Sequence, residues 1–114
     1  MNKILKVGRL KKNSQFQKVY RQGKSLATKK MVLYYKKNGD DKNNLGISIS
    51  KKVGNSVERH RLKRIFKEAF RQIKGDIKEG YDFVIVARKG TGRISYHEAI
   101  FELSKIMSRG KLIR

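Results

Sequence analysis

The sequence of 114 residues has no cysteine, no proline and no tryptophan. Without cysteine, the chain has no disulfide framework and no thiolate metal site. No apolar run approaches the roughly 20 residues that a membrane span needs, and residues 1–10 lack the apolar segment of a secretory signal. We therefore expect a soluble cytoplasmic protein with no membrane partner.

Acidic residues are scarce as well. The chain has 9 Asp and Glu against 30 Lys and Arg, a formal net charge of +21, and none of the acids precedes Asp40. An excess this large opposes compaction unless a polyanion neutralises it, which favours a nucleic-acid partner. The nine acids are scattered, and the two histidines flank no carboxylate pair. We therefore expect no catalytic residue in the protein itself.

Hydrophobic periodicity predicts one domain spanning residues 1–114, with residues 1–12 as a mobile basic arm. Helices are predicted over 14–22, 55–75 and 95–110, each preceded by a capping box. Strands are predicted over 31–37, 45–50 and 81–88, with a weak one within 23–30. The order α-β-β-β-α-β-α predicts an α+β fold, a two-layer α/β sandwich with a small mixed sheet. The strand at 81–88 is apolar on both faces, so it should be central.

Residues 51–74 carry the strongest functional pattern. On a helical wheel, apolar residues cluster on one side and cationic residues on the other. The cationic side holds His60, Lys63, Arg64, Lys67 and Arg71. Cations about one turn apart suit successive phosphates of a nucleic-acid strand, although a plain solvated helix face would look the same.

The run GNSVERHRLKRIFKEAFR resembles the signature of the bacterial ribonuclease P protein subunit. In that family a Gly-Asn turn after a basic strand end leads into a helix that begins with an Arg-Asn-Arg type motif. The matching residues are Lys51, Lys52, Gly54, Asn55, Arg59, Arg61, Lys63 and Arg64. The aromatic N-terminal helix, the Tyr34 strand, the Ile-Ser-Ile strand and the Asp-Phe-Val-Ile-Val-Ala-Arg strand agree as well. His60 stands where the family usually has Asn, so a titratable imidazole replaces an amide.

The resemblance implies an accessory protein of an endoribonuclease that removes the 5′ leader from precursor tRNA. It implies the catalytic RNA subunit and precursor tRNA as partners, and no DNA. Catalysis would belong to the RNA subunit, which uses Mg²⁺, and the protein would hold no metal permanently. The family fold also implies a left-handed β-α-β crossover, against the general right-handed rule.

Two sets of site residues follow from this resemblance. The set expected to bind the RNA subunit is Arg59, His60, Arg61, Lys63, Arg64 and Lys67. The set expected to bind the leader is Phe16, Tyr20, Tyr34, Ser48, Ser50, Lys51, Lys52 and Asn55. Exposed aromatic side chains stack on unpaired bases without demanding a sequence. Ordinary core packing is the alternative for Phe16 and Tyr20.

Other function classes stay open from the residues alone. A structural RNA-binding protein of the ribosomal type would share the charge but would not assist precursor cleavage. An independent nuclease would cut RNA without an RNA subunit. A sequence-specific DNA-binding protein would need base-reading side chains on its recognition helix, and the helix here carries mostly phosphate-type cations.

Overall fold

The computed structural model describes residues 7–114, which form a five-stranded mixed sheet and three α-helices. The strands are β1 (Val7–Arg9), β2 (Lys24–Ala27), β3 (Met31–Lys37), β4 (Asn43–Ser48) and β5 (Tyr81–Ala87). The helices are α1 (Asn13–Gln22), α2 (Ser56–Ile73) and α3 (Tyr96–Arg109), with a 3₁₀ turn at Lys74–Asp76. None of these helices is long and apolar enough to cross a membrane.

The predicted α+β fold and its element order are confirmed from α1 onwards. The strands lie in the order β1-β4-β5-β3-β2, so β5 is central as its two apolar faces predict. It pairs in parallel with β4 and antiparallel with β3. Because β4 and β5 are parallel neighbours, α2 forms the crossover between them. The weak strand expected within 23–30 is also present, as β2.

The first strand was missed, and the prediction of a mobile arm is wrong for residues 7–10. Val7–Arg9 pairs in parallel with residues 43–45 at the edge of the sheet. Leu10 is buried and its N–H donates to the carbonyl of Leu45 at 3.1 Å. The rest of the predicted arm, residues 1–6, lies outside the described residues. Strand β1 could not be predicted because three residues are too few to show periodicity. Its partner strand is also distant in the sequence.

The sheet is packed on both faces, so α1 adds a partial third layer to the two that the sequence predicts. Helices α2 and α3 cover one face over the larger core, which includes Phe66, Phe83 and Leu103. Helix α1 packs on the other face over a smaller cluster built on Val19 and Val84. Alternation along β5 explains the division, because successive side chains point to opposite faces of a strand. The smaller cluster is bordered by half-buried aromatic residues, and this leaves part of that face open.

Capping fixes where two of the helices begin. The side chain of Asn55 accepts from the N–H of Glu58 at 2.9 Å, and Ser95 accepts from the N–H of Glu98 at 3.1 Å. Both predicted capping boxes are therefore confirmed. The box predicted at Ser14 is wrong, since α1 begins at Asn13. There the side chain of Gln15 accepts from the N–H groups of residues 11 and 12, each at 2.9 Å.

Candidate nucleic-acid interface

Helix α2 presents a row of cations on its solvent side. Its opposite side is buried in the larger core, which holds the helix in a fixed rotation. The exposed row consists of His60, Lys63, Arg64 and Lys67. The ion pairs found within residues 7–114 involve none of these four side chains. Their charge is thus available to an external anion.

The two arginines of the motif lie on opposite flanks of this row. Arg59 is half-buried, lines a cavity with Ser48 and Ser56, and has a buried Nε with no hydrogen-bond partner. Arg61 donates from its guanidinium to the carbonyls of Gly92 at 3.4 Å and Ile94 at 3.3 Å. Arg61 therefore joins α2 to the loop before α3, besides any contact with RNA. The sequence already indicates this separation, because two residues at about 100° each place Arg59 and Arg61 about 200° apart on the helical wheel.

The three aromatic residues predicted to bind the leader form one cluster on the α1 face of the sheet. The ring centroids of Phe16 and Tyr20 are 6.5 Å apart, and those of Tyr20 and Tyr34 are 4.8 Å apart. All three are half-buried, so each side chain is partly packed in the core and partly exposed to solvent. They pack on Val19 and Val84 while keeping an accessible side. Half-buried rings of this kind suit stacking on unpaired bases.

Ser48 belongs to the same cluster through Tyr20. Burial raises the pKa of the Tyr20 hydroxyl above its usual value, a hydrogen bond with Ser48 opposes this, and the neighbouring Tyr34 raises it further. At neutral pH the phenol is therefore protonated and offers both a donor and an acceptor.

The remaining predicted leader contacts lie in the turn between β4 and α2. Ser50 accepts from the N–H of Lys52 through its hydroxyl at 3.3 Å, and from the N–H of Val53 through its carbonyl at 3.1 Å. Lys51 and Lys52 are exposed. Asn55, which ends this turn, uses its side-chain oxygen to cap α2. The turn thus places two free cations next to the start of the motif helix.

Two adjoining cavities lie along β1 and β4 at one edge of the sheet, with volumes of about 950 Å³ and about 450 Å³. We call them together the edge groove. The side chains that line both cavities are Lys11, Phe16, Ile47, His60 and Lys63. The larger cavity continues between β1 and α2 as far as Lys74, and the smaller one reaches Ser48 and Arg59. The groove therefore connects the cationic row with the aromatic cluster.

The groove contains residues that the sequence did not assign to a site. Arg9 and Lys11 come from the segment expected to be a mobile arm, and no periodic pattern points to them. Arg71 and Lys74 continue the cationic row at helical spacing beyond Lys67, a signal that was available in the sequence. No Asp or Glu is among the residues that line either cavity.

The distribution of acids bears on metal binding. Across residues 7–114, no group of three or more His, Cys, Asp or Glu side chains is placed to hold a metal ion. Several acids are occupied with local structure: Glu58 and Glu98 complete capping boxes, and Asp82 accepts from Asn38 and Asn44. These three carboxylates therefore have roles in the fold of the protein.

Comparison with known proteins gives one consistent result. The sequence model of the family described as Ribonuclease P matches residues 5–111. The ribonuclease P protein component of Natranaerobius thermophilus is 40% identical over 105 residues, covering 92% of this chain and 91% of the relative. The RNase P protein of Staphylococcus aureus is 34% identical with a TM-score of 0.85, covering 96% of this chain and 100% of that one. The RNase P protein of Thermotoga maritima is 33% identical with a TM-score of 0.82, covering 89% and 96%.

Proposed function

This chain belongs to the Ribonuclease P family of protein components, and we propose that it assists a catalytic RNA in removing the 5′ leader from precursor tRNA. One observation carries the proposal beyond family membership. The acid-free edge groove joins a cationic helix face to a half-buried aromatic cluster through Phe16. A protein that holds two RNAs needs two such surfaces side by side.

The RNA subunit is assigned to α2. Arginine presents a planar fork to phosphate and lysine a point charge, so the exposed row suits a sugar-phosphate backbone. The helix is anchored by its buried side, and this spaces its cations rigidly. His60 in this row is exposed and occupies the place of the family's usual Asn. It offers ring nitrogens to RNA in place of an amide.

The leader is assigned to the aromatic cluster and the adjoining turn. Phe16, Tyr20 and Tyr34 offer ring faces to unpaired bases, while Ser48 offers a hydroxyl beside them. Ser50, Lys51, Lys52 and Asn55 follow at the end of β4, where phosphates of the same strand would pass. Stacking of this kind requires no base sequence. The protein would thus recognise a leader by its being single-stranded.

The bond-breaking step is assigned to the RNA subunit, with Mg²⁺ supplied by that partner. The protein's part is to hold both RNAs in register and to lower the repulsion between their backbones, which its net charge of +21 favours. The place of this reaction is assigned to the cytoplasm, because both RNA partners are made there in a bacterium.

A reconstitution assay tests the proposal. Precursor-tRNA cleavage is measured at low Mg²⁺ with the protein alone, the RNA subunit alone, and both together. We expect no cleavage by the protein alone and faster cleavage by both than by the RNA subunit alone. A rate that does not change when the protein is added would favour the ribosomal-type alternative. Cleavage by RNA-free protein would favour an independent nuclease.

A triple variant tests the assignment of α2. Replacing Arg59, Arg61 and Arg64 with Ala should weaken binding of the RNA subunit and flatten its dependence on salt, because fewer counterions are released. The matched control replaces three exposed lysines away from the groove: Lys24, Lys37 and Lys105. Equal salt slopes for the two triple variants would contradict the assignment.

A further inference from the structure

We propose that the larger cavity of the edge groove binds an unpaired stretch of the RNA subunit, with strand β1 as one of its walls. This rests on the proposed function and specifies how the partner is held. The RNA enters a groove instead of lying only on a helix face. The inference adds Arg9, Lys11, Arg71 and Lys74 to the RNA contacts.

Charge is the first support. Arg9 and Lys11 line the β1 side of the larger cavity, and Lys67, Arg71 and Lys74 line the α2 side. No carboxylate is among the lining residues. Arg71 has an acidic partner outside the lining, Glu68 at 3.1 Å, in an exposed pair that contributes little. Two walls of like charge repel each other, and a phosphate backbone between them removes that repulsion.

The floor of the groove indicates that the bound RNA is single-stranded. Between the cationic walls lie the half-buried Phe16 and Ile47, supported from below by the buried Leu10, Leu45 and Phe70. An RNA duplex keeps its base faces stacked and presents phosphates and ribose hydroxyls. An unpaired strand can place its bases on an apolar floor while its phosphates reach the walls. The apolar floor and the cationic walls of the groove therefore match the bases and the phosphates of single-stranded RNA.

The backbone of β4 adds polar groups to the same floor. β1 pairs only with residues 43–45, and Leu10 donates to the carbonyl of Leu45 on that edge. Every second residue of a strand directs its N–H and C=O to the same side. Ile47 therefore directs both groups to the edge that β1 leaves uncovered, inside the groove. Such a donor and acceptor pair matches the edge of an unpaired base or a ribose hydroxyl.

The path of the groove assigns the strand to the RNA subunit. Its larger cavity runs along α2 past Lys67 to Lys74 and leaves Tyr20 and Tyr34 outside its lining. The leader is assigned to the aromatic cluster and the adjoining turn, and of these residues Phe16 alone lines the larger cavity. A strand that follows α2 is therefore continuous with the RNA-subunit surface, and Phe16 marks the point where it meets the leader.

Docking of β1 depends on Gly8. This residue pairs with Asn44, and a Cβ at Gly8 would overlap the side-chain oxygen of Asn44. Asn44 cannot move away freely, because its Nδ2 donates to Asp82 at 2.8 Å. Replacing Gly8 with Ala should therefore displace β1 and open the groove without removing any charge.

The test measures binding of the RNA subunit against salt for Gly8→Ala and for the double variant Arg9→Ala with Lys11→Ala. We expect both to bind more weakly. The salt slope of the double variant should fall by about 1.4, since a single strand contributes about 0.7 per lost phosphate contact. Gly75→Ala is the matched control, because nothing lies within 4 Å of a Cβ there. Circular dichroism confirms that each variant is folded.

Cross-linking tests the position of the strand without weakening it. The chain has no cysteine, so a cysteine at Val7, which lines the larger cavity from β1, gives a single attachment point for a photoreactive probe. We expect this probe to cross-link to the RNA subunit, and a probe at Ser25, on the opposite edge strand, not to. Equal cross-linking from both positions would overturn the proposal.

The outcomes separate this inference from the function on which it rests. If Gly8→Ala and the double variant bind as the wild type does, while the α2 triple variant is weakened, the groove proposal is wrong and the function stands. If those groove variants bind the RNA subunit normally but lose affinity for the leader, the assignment to the RNA subunit is wrong. If the wild type does not bind the RNA subunit, the proposed function fails and the groove proposal with it.

Discussion

The ring of Tyr34 meets the ring of Tyr20 edge-on, with centroids 4.8 Å apart and planes at 70°. Tyr34 comes from β3 and Tyr20 from α1, so this contact fixes the helix against the sheet. Phe16, which lines the groove, lies next to Tyr20, with their ring centroids 6.5 Å apart. Edge-to-face pairing is a favoured geometry for aromatic rings, and it holds these rings in place before a ligand arrives.

The first prediction concerns the rings themselves. Replacing Phe16 or Tyr34 with Ala should reduce affinity for precursor tRNA that carries a leader, by about 1–3 kcal/mol for each stacked base lost. Affinity for mature tRNA should not change. Phe101→Ala is the control, because that phenylalanine is 64% exposed on α3, outside the groove lining. Equal losses on precursor and mature tRNA would reject the leader assignment.

A second prediction moves Phe16 without deleting it. A Cβ at Gly46 would lie 2.6 Å from the tip of the Phe16 ring. Gly46→Ala should therefore displace the ring from the groove and weaken leader binding, although every aromatic residue is still present. Gly75→Ala again serves as the control, since a Cβ there meets open space. Unchanged leader affinity in Gly46→Ala would show that the position of Phe16 is unimportant.

The third prediction separates two roles of Asn55. Its side-chain oxygen caps α2 through the N–H of Glu58, and Asn55→Ala should lower the free energy of unfolding by about 1 kcal/mol. Asn55→Ser preserves a capping oxygen and should restore that stability. Comparing denaturant unfolding with leader affinity distinguishes the roles. A leader contact would be lost in both variants, whereas a cap alone would be lost only in the alanine variant.

Arg61 is the subject of a fourth prediction. Its hydrogen bonds to the carbonyls of Gly92 and Ile94 join α2 to the loop before α3. Arg61→Ala should therefore speed amide hydrogen exchange in that loop, because local opening becomes easier. Arg64→Ala should not, since Arg64 belongs to the exposed row that lines the groove. If the loop exchanges its amide hydrogens at the same rate in both variants, Arg61 does not stabilise the loop and its role is limited to RNA binding.

The fifth prediction concerns pH. Burial raises the pKa of Tyr20 in the folded protein, so the folded state holds that proton more tightly than the unfolded state does. The stabilisation is complete below the ordinary tyrosine pKa of about 10 and is lost as pH rises through the higher folded value. Stability of the wild type should thus fall more steeply above pH ~10 than that of Tyr20→Phe. Denaturant unfolding between pH ~9 and ~11 measures the difference.

The helices and strands were predictable where local chemistry determines them. The start of α2 is predicted by the pair Asn55 and Glu58, and the start of α3 by the pair Ser95 and Glu98. The apolar run of β5 predicts its central position in the sheet. The start of α1 was not predictable from its Ser14 box, because Gln15 reaches back to the chain before the helix. A local rule fails where an alternative local bond is available.

The site was predictable as two lists of residues but not as one groove. Helical spacing predicts that His60, Lys63 and Arg64 share one face of α2. The resemblance to the family predicts the role of the aromatic residues. Arg9 and Lys11 became part of the groove only through the parallel pairing of β1 with β4, which no local pattern encodes. Pairing between distant segments is decided by the whole sheet, so its consequences for a site appear only in three dimensions.

The central position of β5 has a consequence during synthesis. Every side chain assigned to RNA lies at or before Lys74, yet the strand that pairs with both β3 and β4 is Tyr81–Ala87. A nascent chain that ends before this strand carries all the contacts and lacks the scaffold that orders them. Recognition should therefore begin only after β5 has left the ribosome, because the two RNA surfaces come to lie side by side only in the complete sheet.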